Sequence, residues 1–291
     1  MTVTAEGAGA AASVVDDIDA RPGSTASLLR TVVGLFLRPL GWISTADLVS
    51  LAGDLGIEAA QARTGIARLK QKGLLLAERR HAVGYRLNPA ATTMLERGDR
   101  RIFEMREMTD ADSWCLISFS IPESARGVRH QLRRRLHWIG AGVVSPALWI
   151  CPGHLQDEAW QIVADLDAHP WVTLFQAHSP VMVTTPREAA AAWWDLAALR
   201  AEHLAFQSAL AALPDDPFAG YVRLIDSWRV LPYLDPGLPP SMLPEDWPGG
   251  ASVAEFTRLS ATLADAAWQR VREVTATAAP SSLAPRDASA G

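Results

Sequence analysis

The run ARTGIARLKQKGLL, residues 62–75, could bind an anion, because it carries four cations and no acidic residue: Arg63, Arg68, Lys70 and Lys72. The planar fork of arginine matches a guanine edge or a phosphate in a bidentate way. The whole chain nevertheless has a formal net charge of -5. Positive charge collected on one short segment of an acidic protein predicts an anionic partner for that segment.

The spacing in this region predicts a helix from Glu58 to Lys72 with one buried and one exposed face. Apolar residues at positions i, i+3, i+7 and i+10 form the predicted buried stripe: Ala59, Ala62, Ile66 and Leu69. Polar residues lie on the other side, with Arg63 and Lys70 beside them: Gln61, Thr64, Arg68 and Gln71. The outward face of this helix is therefore polar and basic.

The surrounding segments predict a helix-helix-helix-hairpin layout over residues 24–88. A first helix, residues 24–37, is ended by Pro39 and Gly41, and a second begins at the Ser-Thr-Ala-Asp run at 44–47 and stops at Gly56. Gly73 ends the basic helix, and two strand-like runs at 74–78 and 83–87 follow. This is the layout of a winged helix-turn-helix, whose third helix enters the major groove while the hairpin tip reaches the adjacent backbone or minor groove.

The predicted partner is double-stranded DNA. Residues 24–88 hold nine Lys/Arg and four Asp/Glu, a balance of +5. The predicted DNA-binding residues are those on the exposed helix face and the hairpin tip: Gln61, Arg63, Thr64, Arg68, Lys70, Lys72, Arg79, Arg80 and His81. Two alternatives stay open, a solvated helix whose cations only maintain solubility, and a winged helix that docks onto a protein.

Length and composition indicate a folded protein with two or three domains, since 291 residues exceed one ordinary core. The two cysteines, Cys115 and Cys151, fall in apolar runs without a CxxC motif, which predicts buried thiols in a reducing cytoplasm. Residues 1–23 are read as a disordered acidic tail without secretory features, and residues 276–291 as a second disordered tail. No membrane partner is predicted.

The middle of the chain predicts a linker helix over residues 89–110 and a βαββαβ unit over 111–180, the ferredoxin-like pattern. Some ferredoxin-like domains are metal-dependent ribonucleases that need a carboxylate near the end of the first strand. That strand reads Ser118-Phe119-Ser120 here, so a non-catalytic platform is favoured. A metal-dependent nuclease remains the enzyme alternative, although neither a cofactor nor a metal site is expected.

The helix predicted after the first strand of this unit is rich in arginine. Four of its side chains could bind the phosphates of an effector: Arg126, Arg129, Arg133 and Arg134. The same residues could contact the DNA backbone, and a solvated helix face explains them equally well.

The last part of the chain, residues 186–275, predicts a helical domain. A long helix is expected over residues 186–213, a shorter one over 217–231 and a last one over 252–274. Between the last two, residues 231–250 are proline-rich and predict a stiff extended loop. The 11 tryptophans of the chain are read mainly as core residues.

Three stretches of the chain resemble the PaaX-like family of bacterial transcriptional repressors of phenylacetic acid degradation and related catabolic operons. They begin LLRTVVGLFLRPLGW, WCLISFSIPESARG and SWRVLPYLDPGLPP, and the resemblance spans residues 27 to 272. The WICP element at 149–152 and the DPGLP loop at 235–239 are its most specific parts. Arg63, Arg68 and Leu69 match the family's recognition helix, whereas residues 64–67 depart from it.

The resemblance implies an α+β, multidomain protein: an N-terminal winged helix-turn-helix, a central ferredoxin-like domain and a helical C-terminal domain. It also implies a non-enzymatic, cytoplasmic homodimer on a palindromic operator. Repression would be relieved by an acyl-CoA thioester, typically phenylacetyl-CoA, which would need cations for its phosphates. A protein-docking adaptor without DNA binding is the other function that the sequence leaves open.

Overall fold

A computed structural model describes residues 21–178 and 183–277. The predicted tails, apart from residues 21–23 and 276–277, lie outside the described residues. The described chain is a mixed α/β structure that divides into two compact units. The first contains residues 21–97, 213–226 and 259–277, and the second contains residues 98–178, 183–212 and 227–258.

The first unit begins with α1, Thr25–Val32, which continues through a π-helical turn, Val33–Leu37, and a short turn, Arg38–Leu40. The Ser24 hydroxyl caps α1 by accepting a 3.3 Å hydrogen bond from the Ser27 amide. Gly41 has a φ of 71°, a left-handed conformation that glycine adopts without steric cost, and it ends the helix as predicted. Pro39 does not end it, because the helical turns continue to Leu40, three residues beyond the predicted helix.

Two further helices follow the short strand β1, Ile43–Ser44. Helix α2, Thr45–Asp54, is capped by Ser44, and α3, Ala59–Gln71, precedes Gly73, whose φ is 76°. The buried side of α3 consists of Ala62, Gly65, Ile66 and Leu69. Ala59, predicted in this stripe, is exposed because it is the first residue of the helix.

Gly65 lets α3 pack closely against α1. A Cβ atom at this position would overlap the terminal Cδ1 of Leu29, a fully buried residue of α1. A glycine in mid-helix costs about 1 kcal/mol in helix propensity relative to alanine. The close approach of the two helices explains why the sequence tolerates this cost.

A hairpin completes this part of the unit, with β2 at Leu75–Arg79 and β3 at Val83–Leu87. Both strands were predicted, but β1 was not. β1 pairs antiparallel with β3, so the three strands form one sheet in the order β1-β3-β2. A two-residue strand is too short to produce an alternating pattern in the sequence.

The core of the first unit also uses helices from late in the chain. These are α9, Pro217–Trp228, and α11, Gly249–Thr277, of which residues 217–226 and 259–277 belong to this unit. The Phe36 ring is 5.7 Å from that of Phe218 and 4.9 Å, edge-on, from that of Trp268. Asp226 accepts hydrogen bonds from Ser27 and Thr31 of α1.

Helix α4, Thr92–Phe103, leads to the second unit and is shorter than the linker helix predicted over residues 89–110. The second unit contains β4 (Trp114–Phe119), α5 (Arg126–Trp138), β5 (Gly142–Ser145), β6 (Leu148–Pro152), α6 (Gln156–Asp165) and β7 (Val172–Ala177). The predicted strand-helix-strand-strand-helix-strand order is present. All neighbouring strands pair antiparallel in the sheet order β5-β6-β4-β7.

Alternate side chains of β4 enter two different hydrophobic clusters. Cys115, Ile117 and Phe119 pack with Leu132 and Leu136 of α5 and with side chains of α6. Trp114 points to the other face, where it packs with a second set of buried residues: Ile150, Ala190, Trp194, Leu238 and Met242. The sheet is therefore covered by hydrophobic residues on both faces around Trp114.

The predicted long helix over residues 186–213 is wrong, because the structure has two helices, α7 (Pro186–Trp193) and α8 (Leu196–Leu210). Trp194 between them has an extended backbone, and its indole Nε1 donates a 2.8 Å hydrogen bond to the Gly140 carbonyl. Asp195 then caps α8 by accepting from the Ala198 amide at 2.9 Å. Tertiary packing and a local cap thus divide an apolar pattern that is continuous in the sequence.

The proline-rich segment is only partly the extended loop that the sequence predicted. It contains a short helix, α10, at Leu231–Leu234 and a 3₁₀ turn at Pro240–Met242. Leu238 and Met242 are buried at 2% and 3% exposure, so the segment is held in the core by its apolar side chains. α11 begins three residues earlier than predicted.

Candidate nucleic-acid interface

The outward side of α3 is polar and basic. Six of the predicted DNA-binding residues lie on or directly after this helix, and all six are exposed: Gln61, Arg63, Thr64, Arg68, Lys70 and Lys72. Arg63, Arg68 and Lys70 make no ion pair with another residue in the described part of the chain. Their charges are therefore not neutralised by the protein itself.

The cations near the hairpin tip are exposed, but one acid partly neutralises them. Arg79, Arg80 and His81 are all exposed. The Glu78 carboxylate accepts from Arg80 Nε at 2.6 Å and lies 3.0 Å from Arg86 Nε. A phosphate approaching the tip would have to compete with Glu78 for both guanidinium groups.

Trp42 supports the hairpin tip, and the sequence pattern did not reveal this residue. Its indole Nε1 donates a 3.0 Å hydrogen bond to the Glu78 carbonyl. The Arg80 guanidinium carbon lies 5.6 Å from the centre of the Trp42 ring, and the His81 ring meets it edge-on at 4.8 Å. Trp42 thus fixes the base of the tip and contacts two predicted DNA-binding side chains.

Gly84 makes this arrangement possible. A Cβ atom on Gly84 would lie 2.5 Å from Cζ2 of Trp42 and would overlap the Ile43 carbonyl oxygen. No local pattern could have predicted these contacts, because Trp42 and Glu78 are 36 residues apart and meet only through the pairing of β1 with β3.

Asn88 ties the hairpin to the end of α3. Its side-chain amide donates a 2.7 Å hydrogen bond to the Gly73 carbonyl, and its backbone amide donates to the Leu74 carbonyl at 2.9 Å. The hairpin therefore leaves the helix at a fixed point, and both sets of predicted DNA-binding residues belong to the same compact unit.

The four predicted effector-binding arginines lie on α5 in the second unit and differ in how far other residues of the chain engage their side chains. Arg126 is exposed, whereas Arg129 donates to Glu123 Oε2 at 2.7 Å. Arg133 donates to the Pro146 carbonyl at 2.6 Å, and its guanidinium carbon lies 5.8 Å from the centre of the Phe119 ring. Arg134 is exposed and has an interaction of its own within the protein. At least three of the four are therefore engaged inside the chain.

Three family models match the chain, and together they span well over half of it. They are a PaaX-like protein over residues 24–91, the PaaX protein central Cas2-like domain over residues 107–190 and the PaaX-like protein C-terminal domain over residues 188–273. The chain belongs to the PaaX-like family. The first of these matches includes α3, Lys72 directly after it and the hairpin, which together carry every predicted DNA-binding residue.

One repressor and one solved structure to which the chain is similar are both distant from it in sequence. The chain is 23% identical over 254 residues to the transcriptional repressor PaaX of Escherichia coli (strain K12), covering 80% of this chain and 78% of that protein. Among solved structures it resembles the uncharacterized protein Rv0674 from Mycobacterium tuberculosis, with a TM-score of 0.59 and 22% identity. That match covers 86% of this chain and 100% of the other. At this identity the second likeness shows the fold alone.

Two absences among the described residues bear on other kinds of site. Within residues 21–178 and 183–277, no helix combines the length and apolar character needed to cross a bilayer. In the same residues, no three His, Cys, Asp or Glu side chains are grouped so that they could hold a metal ion.

Proposed function

We propose that the chain is a sequence-specific transcriptional regulator whose winged helix-turn-helix, residues 24–88, binds double-stranded DNA. The observation that carries this proposal is the outward face of α3, where Arg63, Arg68 and Lys70 are exposed without ion pairs to other described residues. A helix presented in this way fits the major groove, and a hairpin on the same unit fits the adjacent backbone or minor groove.

The proposed DNA contacts fall into two groups, base contacts and phosphate contacts, according to their position on this surface. Gln61, Arg63, Thr64 and Arg68 lie along the exposed side of α3, where side chains of these types can hydrogen-bond to base edges. Lys70 and Lys72 at the helix end, with Arg79, Arg80 and His81 near the hairpin tip, serve phosphates and set the register on the duplex.

The same proposal extends to the mode of control. The E. coli relative is a transcriptional repressor, which supports repression and a non-enzymatic role for this chain. By analogy with the family, the protein is a cytoplasmic homodimer on a palindromic operator of a catabolic operon, phenylacetate or related, and an acyl-CoA thioester releases it. The four-stranded sheet with two helices on one face supports a ferredoxin-like central domain used as a platform.

A gel shift on the DNA upstream of the protein's own gene tests the proposal. The wild-type protein should retard this fragment at low salt. Arg68→Gln should weaken binding about tenfold or more, since a lost bidentate base contact costs about 1–3 kcal/mol. Arg187→Gln, which removes an exposed arginine of the second unit, is the matched control and should bind as the wild type does. Equal binding by the Arg68 and Arg187 variants would refute the assignment of α3.

A further inference from the structure

A cavity in the second unit lies beside the two sequence elements that are most specific to the family resemblance. Its volume is about 340 Å³. His154 in its wall lies two residues after the WICP element, and Pro232 in its wall comes from the segment before the DPGLP loop. Asp235 and Pro236 of the loop line the cavity as well. The proposed DNA interface uses none of these residues.

Two charges in the cavity wall are held rigidly. Arg101, only 9% exposed, donates to Glu158 from Nε at 3.1 Å and from Nη2 at 2.9 Å, and from Nη1 to the Pro232 carbonyl at 3.1 Å. Asp235 is 2.8 Å from Nε2 of the buried His203 and accepts from the Gly237 amide at 2.8 Å. These contacts hold both groups in place, so their main role is to shape the site.

Other polar groups of the wall remain available to a ligand. Arg100 is exposed and has no side-chain partner among the described residues. Among the described residues, Arg106 forms an ion pair only with the partly exposed Asp112, at 3.0 Å, and its own side chain is 58% exposed. Glu104 is the one exposed acid in the described lining. The groups free to turn towards a ligand are thus mainly cationic.

The pKa of His154 also indicates that positive charge dominates this part of the cavity. It is lowered to about 4, first by partial desolvation of the ring, although the residue as a whole is exposed, and then by the positive charges of Arg106 and Arg101. The ring is therefore neutral at neutral pH and can hydrogen-bond without adding charge. The arginines thus act on this position more strongly than Glu158 and Asp112, which act in the opposite direction.

We propose that this cavity binds the carboxylate or phosphate group of a small metabolite, with Arg100 and Arg106 neutralising the anion and His154 hydrogen-bonding to it. A volume of about 340 Å³ lies at the lower end of small-molecule sites and holds a small acid or one end of a larger phosphorylated ligand. Binding itself does not require the regulatory function. A change in DNA affinity when the ligand binds rests on the proposed function. Such a change would make the cavity the effector site.

Titration calorimetry on the full chain without DNA tests this site with two probes, inorganic pyrophosphate for phosphate chemistry and benzoate for carboxylate chemistry. At least one probe should bind, and Arg100→Gln and Arg106→Gln should each weaken it tenfold or more. Arg126→Gln is the matched control, because it removes an exposed arginine of the same unit outside the cavity lining. The probe that binds shows whether the cavity recognises a phosphate or a carboxylate group.

The site would be ruled out if neither probe bound. It would also be ruled out if Arg126→Gln weakened binding while Arg100→Gln and Arg106→Gln did not, since α5 would then hold the anion. Thermal melts of the variants confirm that each is folded. Because DNA is absent from these titrations, their outcome is independent of whether the gel shift succeeds.

Discussion

Glu78 is the residue that limits the positive charge of the hairpin tip. Its two carboxylate oxygens engage Arg80 at 2.6 Å and Arg86 at 3.0 Å, and all three side chains are partly exposed. An exposed ion pair contributes about 0–1 kcal/mol to stability, so removing this acid should do little to the fold. It should matter more for an anion that binds the same arginines.

Glu78→Gln should therefore strengthen DNA binding. The substitution removes one negative charge and releases two guanidinium groups towards the phosphates, and we expect an affinity gain of a few fold at low salt. Fluorescence anisotropy on the operator fragment measures the gain. Glu123→Gln, which breaks an ion pair with Arg129 in the second unit, is the control and should leave affinity unchanged. Weaker binding by the Glu78 variant would show that Glu78 positions the arginines rather than competing for them.

Among the helices and strands, the packing of α3 against α1 matters most, because it positions the helix that carries the proposed base contacts. Gly65 on α3 is buried against Leu29, whereas Gly53 near the end of α2 is exposed, and a Cβ atom added there would have no neighbouring atom within 4 Å. Both glycines are helical, so alanine brings each a similar gain in helix propensity of about 1 kcal/mol. Any difference between the two substitutions therefore reports on packing alone.

Gly65→Ala should be less stable than Gly53→Ala by about 1 kcal/mol, the lower end of the usual cost of overpacking a core, because the only overlapping atom is the terminal Cδ1 of the Leu29 side chain. Gly53→Ala itself should stabilise the protein slightly relative to the wild type. Urea unfolding of both variants, followed by circular dichroism, measures the difference. If the two alanine variants were equally stable, Leu29 would have moved aside without cost, and the close approach of α1 and α3 would not require glycine.

Elements with a strong local signal could be predicted from the sequence, and those that depend on distant partners could not. The basic face of α3, the hairpin and the three helix-ending glycines of the first unit follow from spacing and from the conformational freedom of glycine. Strand β1, the Trp42 support and the break at Trp194 depend on residues 36 or more positions away. No periodicity in the sequence encodes such contacts.

The two cysteines also combine one feature that the sequence predicts, their burial, with one that it does not, their pairing across the sheet. Their burial was predicted from the apolar runs around them and is confirmed, since both are free thiols with 0% exposure. That Cys115 and Cys151 lie directly opposite each other on β4 and β6 required the strand register. A hydrogen bond between the two thiols, together with burial, raises the pKa of Cys151, while the same bond lowers the pKa of Cys115.

For the whole molecule, the distribution of charge decides what the protein can bind. The net charge is -5, yet residues 24–88 carry nine Lys/Arg against four Asp/Glu. An acidic protein gains nothing from its overall field when it approaches DNA, so affinity has to come from local cations in contact with phosphates. Two substitutions that change the net charge equally should then have different effects on binding.

Lys70→Gln and Arg126→Gln provide this comparison, because each removes one exposed cation, the first on α3 and the second on α5. The logarithm of DNA affinity should fall linearly with the logarithm of salt concentration. Lys70→Gln should make this slope shallower by about 0.9, the loss of one phosphate contact. Arg126→Gln should leave the slope unchanged, and anisotropy titrations between about 50 and 200 mM salt measure both. A shallower slope for Arg126→Gln would place α5 on the DNA backbone, whereas equal small effects of both substitutions would mean that net charge, and not the surface of α3, governs binding.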